Sequence, residues 1–195
     1  GSLSSTPQKC YAYLVYEWWV RTFPQAEFKY VNAGIGGTTS QFGVARVQDD
    51  LLDAEPDFVI AEFSVNDEST GHFEETYEGL VRKILSSKSH PALMLVHNVC
   101  YNNGASAELV HSRIARHYNI PSVSMQSTLY KALLNCRFDN RRITPDDLHP
   151  NDCGHELVSM VITKRLEQIK NTVKAEYETA KSQRAAAQPD AGAAA

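Results

Sequence analysis

The chain has 195 residues and a mass of 21.7 kDa, with 43% hydrophobic, 22% charged and 9% aromatic residues, the profile of one soluble globular domain large enough to bury a core. Nineteen Lys and Arg against 23 Asp and Glu leave a net charge of −4, and no basic run is long enough to track phosphates, so a nucleic-acid partner is not expected. The longest apolar stretches, such as residues 92–96, fall far short of the roughly 20 residues that cross a bilayer, so no membrane partner is expected either. No signal peptide is recognisable, which leaves a secreted and a cytoplasmic location both open.

In chain order, residues 11–23 have helical spacing, residues 28–31 are expected to form the first strand, and residues 41–52 are again helical. Strands are expected at 58–63, 92–96 and 121–125, with helices at 75–86, 107–118 and from 154 to about 181. Alternating strands and helices with near-continuous apolar strands predict an α/β domain over about residues 1–180: a parallel sheet covered on both faces, three-layer and flavodoxin-like. Residues 181–195 are mostly Ala, Gln, Pro and Gly and read as a frayed or disordered tail. Cys10, Cys100, Cys136 and Cys153 contain no Cys-x-x-Cys pair, which excludes a zinc ribbon or a thioredoxin-type motif and leaves four free, mostly buried thiols as the first reading and one or two disulfides, in a secreted protein, as the other.

Chemistry in such sheets gathers at the carboxyl ends of the strands, where three segments stand out. In Asp146-Asp147-Leu148-His149-Pro150-Asn151 a carboxylate and an imidazole lie three residues apart in a Pro-bounded loop. That spacing lets the acid orient the ring and leave its other nitrogen as a general base, although a helix-capping cluster has the same composition. Asn32-Ala33-Gly34-Ile35-Gly36-Gly37-Thr38-Thr39-Ser40 follows a strand and opens a helix. Its glycines would expose N–H donors to a developing negative charge, and it matches neither phosphate-loop pattern. Glu62-Phe63-Ser64-Val65-Asn66-Asp67 leaves a strand into polar residues, so the Asn66 amide is either an oxyanion donor or a turn cap. A metal site built from Asp146, His149, Cys153 and His155 lacks any His-x-x-x-His register and is not expected. Trp18 and Trp19 read as core plus a half-buried neighbour, Arg46 and Arg82 as helix-surface residues, and the remaining histidines as solvated.

Together these segments resemble the SGNH (GDSL-type) hydrolases, esterases and lipases, over residues 11–174. The wording is most similar to bacterial members acting on acylated carbohydrates. The resemblance implies a serine esterase without a cofactor, removing an acyl group, with acetyl the expected one, from a carbohydrate or other small ester. It assigns Gly37 and Asn66 as oxyanion donors, His149 as general base and Asp146 as its partner. A lipase or thioesterase with a long acyl pocket is the rival within the family, and a non-catalytic fragment the rival outside it.

The family's nucleophile block is where this chain departs. The block closes a central strand ahead of the first helix, whereas here only Gly1-Ser2-Leu3-Ser4-Ser5 and a few more residues precede that helix. Ser2 is therefore one candidate nucleophile, and a serine outside this sequence the other. By the family's sheet order the strand would sit between residues 28–31 and 58–63, leaving two edges with unpaired N–H and C=O groups. A neighbouring chain, such as a second copy completing the sheet, an omitted segment or a rearranged N-terminus is expected to fill that gap. Direct pairing of the two strands would refute it.

Overall fold

The computed structural model describes residues 6–187; Ser2 and residues 188–195 lie outside them. Residues up to Ile162 form one compact unit. After a 3-10 turn, Pro7–Lys9, come α1 (Tyr11–Thr22), α2 (Ser40–Asp50), β1 (Phe58–Ala61), α3 (Gly71–Leu85), β2 (Ala92–His97), α4 (Glu108–His117) and β3 (Ser122–Ser124). A π-helical turn, Gln126–Tyr130, leads into the short α5 (Lys131–Leu134), and α6 (Asp152–Ala187) ends the description. From Thr163 onward α6 belongs to a second unit, and it runs past the expected helix end near residue 181 through alanines, the strongest helix formers. No helix among the described residues is long and apolar enough to cross a membrane.

The sheet is parallel in the order β1-β2-β3, pairing Phe58 with Ala92 and Leu95 with Ser122. One face carries Val59, Ala61, Leu93 and Leu95, packed on Val47 of α2, on Tyr77, Leu80, Val81 and Ile84 of α3, and on Ile114 of α4. Met94 and Val96 alternate to the opposite face of β2 and are fully buried too. The architecture is the expected three-layer α/β/α sandwich.

The expected strand at 28–31 does not form: these residues join no ladder, and β1 is left with one free side. A strand needs a neighbour to satisfy its backbone, and among the described residues none pairs with residues 28–31 or with the other side of β1. The two runs do not pair with each other, so the expected gap is there. Glu55, His90 and Asn119, just ahead of β1, β2 and β3, all take left-handed φ values, of 49°, 46° and 52°, and turn the chain sharply into the sheet.

Three histidines read as solvated are instead interior: His97, His111 and His155 are at most 1% exposed. A single sequence gives no sign of this, because each sits at a core-facing position of its strand or helix. Burial, aided by His111, pushes the pKa of His97 down to about 4, and burial pushes His155 down to about 4. Both values lie below the ordinary 6.5, so the unfolded chain takes up protons that the folded one refuses. Stability should be full above pH 6.5 and decline toward pH 4, by about 2–3 kcal/mol from each residue at the lower limit. Urea unfolding between pH 7 and 4.5 tests this, and His97→Leu should flatten the slope.

Candidate active site

The loop between α5 and α6 brings Asp146 and His149 together as expected. Asp146 Oδ2 lies 2.7 Å from His149 Nδ1, and Oδ1 accepts the backbone N–H groups of Leu148 (3.1 Å) and His149 (2.8 Å). The His149 ring, seconded by these N–H donors, holds the Asp146 carboxyl well below the usual carboxylate range. An ionised Asp146 takes the Nδ1 proton as its partner, so Nε2 carries the free lone pair, with no partner among the described residues. Half-exposed, His149 borders a groove of about 1010 Å³.

Local backbone chemistry shapes this loop. Asp147 takes φ 70°, its carboxylate accepting from Asn140 Nδ2 at 2.6 Å and its carbonyl from the Tyr101 N–H at 2.6 Å. The Asn151 side chain caps α6 by accepting the Gly154 N–H at 3.0 Å. A Cβ on Gly154 would come within 2.2 Å of the Ile143 carbonyl oxygen and 2.9 Å of Pro150 Cβ. Because that oxygen is backbone, the helix start cannot yield cheaply. Gly154→Ala is expected to cost about 2–3 kcal/mol, measurable by urea unfolding, and to displace the His149 loop.

Gly37 and Asn66 border the same groove. Gly37 has φ +70° and no atom near the place a Cβ would occupy, so conformation rather than crowding demands glycine there. Asn66 is exposed, and its N–H donates to the Phe63 carbonyl at 3.0 Å, a turn that leaves the side-chain amide free to face the groove. No serine or cysteine is among the described groove residues; Thr38 is, with its hydroxyl donating to the Ile35 carbonyl at 2.8 Å.

Sequence reasoning missed Asp67. Its buried carboxylate accepts the first N–H of α2, at Ser40 (2.8 Å), with one oxygen and meets His111 Nε2 (3.0 Å) with the other. His111 in turn stacks on Tyr77, with ring centroids 3.6 Å apart. Asp67 thus ties the Asn66 turn to the helix that follows the Gly37 loop. The Val-Asn-Asp wording held the signal, but the partner lies 44 residues further on. Arg46, read as a surface residue, has a side chain only 15% exposed and borders the groove. The four thiols are free, Cys10 buried, Cys100 and Cys153 partly so, and Cys136 exposed.

The chain matches the GDSL-like lipase/acylhydrolase family over residues 4–157, and it belongs to that family. It is similar to a two-domain esterase active on acetylated mannans, at 70% identity and TM-score 0.86, covering 87% of this chain and 47% of that one. The chain therefore spans about half the length of that relative. The acetylxylan esterase Axe2 from Geobacillus stearothermophilus shares the fold at 20% identity and TM-score 0.66, over 80% of each chain. Thioesterase 1/protease 1/lysophospholipase L1 of Escherichia coli strain K12 is 26% identical over 75% of this chain and 71% of its own.

Proposed function

We propose that this domain is the catalytic scaffold of a serine esterase that removes acetyl groups from a carbohydrate. The observation that carries the reading is the Asp146–His149 pair at 2.7 Å on the groove that Gly37 and Asn66 also border. His149 Nε2 takes the proton of a serine hydroxyl as its oxygen attacks the ester carbonyl. The Gly37 N–H, the Asn66 amide and the serine's own N–H hold the oxyanion. The sugar alkoxide leaves with the proton that His149 returns, and water, activated by the same ring, releases acetate from the acyl-enzyme. Ser2 is the candidate nucleophile within this sequence, and a serine supplied from outside it is the other. The mannan activity of the 70%-identical relative supports a glycan ester as substrate.

The test pairs acetate release from acetylated manno-oligosaccharides with intact-mass spectrometry after a serine-reactive phosphonate. Acetate release and one adduct, both lost in His149→Ala, are the expected results. Faster hydrolysis of a long-chain nitrophenyl ester would instead favour a lipase or thioesterase. A folded chain giving neither acetate nor adduct would make it a non-catalytic scaffold as it stands.

A further inference from the structure

Between α5 and α6 the residues on either side of Asp146 are gripped by one side chain that takes no part in the chemistry. We propose that Arg141 is a positioning residue for the Asp146–His149 pair, resting on the reading of that pair as the esterase's base and its orienting acid. Arg141 Nη1 donates to the Pro145 carbonyl at 2.6 Å, and Nη2 lies 3.2 Å from the Asp147 carboxylate. Pro145 and Asp147 immediately precede and follow Asp146. A single planar guanidinium therefore spans the stretch of chain whose direction sets where the Asp146 carboxyl points.

The clamp is anchored at both ends. Asp139 Oδ1 accepts the Arg141 backbone N–H at 2.8 Å at the start of a 3-10 turn, Asn140–Arg142, and Ile143 and Thr144, which follow it, are fully buried. On the other side, Asn140 Nδ2 donates to the Asp147 carboxylate at 2.6 Å, and the Asp147 carbonyl accepts the N–H of Tyr101, a buried residue. Asp147 meets these partners from φ 70°, a conformation in which glycine is favoured and a side chain is strained. What its carboxylate holds accounts for an aspartate at such a position. The Arg141 and Asp147 side chains are 57% and 18% exposed, and an ion pair this close to solvent adds little to stability. Its effect falls on the geometry of the loop, where a misplacement of about 1 Å in a catalytic group costs on the order of 10²-fold in rate.

The test reads the pair itself as well as the reaction. The Asp146 carboxyl, held well below the usual carboxylate range by His149 and the loop N–H groups, is titrated by NMR in the folded chain, with urea unfolding and acetate release alongside. Two variants are compared with the parent. Arg141→Lys keeps the positive charge, but one ammonium replaces two separate donors and cannot span both partners. Asp147→Asn keeps an oxygen for Asn140 and tolerates the left-handed φ, while turning an NH₂ toward Arg141. In both, the proton affinity of Asp146 is expected to rise about tenfold or more. At an unchanged urea midpoint, kcat for acetate release should fall about ten- to hundredfold with KM little changed. For Asp147→Asn the direction is decisive: losing a neighbouring negative charge alone would lower the proton affinity of Asp146, whereas losing the clamp raises it. A titration unmoved in both variants, or one that falls in Asp147→Asn, overturns the proposal, and so does a loss of kcat matched by an equal loss of stability. The titration needs no ester hydrolysis, so a chain that releases no acetate yet shows both rises would lose the esterase reading and keep the clamp.

Discussion

Asp146→Asn is expected to lower the turnover of acetyl ester hydrolysis by about 10⁴ while leaving the fold intact. In the native loop the Asp146 carboxylate lies 2.7 Å from His149 Nδ1, placed to accept the hydrogen bond of an Nδ1–H and so leave Nε2 as the proposed base. An asparagine that turns its NH₂ to Nδ1 reverses the tautomer, so Nε2 carries hydrogen and can no longer accept one. The Leu148 and His149 N–H groups, which Asp146 Oδ1 accepts, would still find the amide oxygen, and the loop geometry would hold. Initial rates on an acetylated oligosaccharide, with circular dichroism and urea unfolding alongside, check both halves. Turnover within a few-fold of the parent would remove Asp146 from the proposed triad.

Asn66→Ala should reduce turnover by about 10²–10³ with KM little changed, the signature of a donor that matters most once charge has moved onto the carbonyl oxygen. The residue is exposed and its turn is held by backbone bonds to Phe63 and by the Asp67 carboxylate rather than by the Asn66 side chain. Stability should therefore shift by no more than about 0.5 kcal/mol. An equal loss of stability and rate would make Asn66 a turn cap, the other role its position allows.

The elements legible in the sequence were those whose signal is local. Val59, Ala61, Leu93 and Leu95 announce buried strands by composition, and Asp146 and His149 reach each other within one loop. Residues 28–31 have strand composition as well, yet composition describes a wish to pair and not the presence of a neighbour. The Asp67–His111 contact and the buried His97 and His155 were illegible for a related reason. Each depends on which helix face meets which strand across dozens of residues, and a polar residue on a core face looks in isolation like one on the surface. Arg46 was misread in the same way, its long stem lying along the groove wall with the charge matched by Asp50.

The left-handed turns at Glu55, His90 and Asn119 also carry a meaning for engineering. Two of the three place a side chain that disfavours this conformation at the amino end of a strand, each at about 1 kcal/mol. The proposed chemistry sits at the opposite, carboxyl end. The domain thus holds a reserve for thermal hardening, through glycine or asparagine at Glu55 and His90, that leaves the loops of Gly37, Asn66 and His149 as they are.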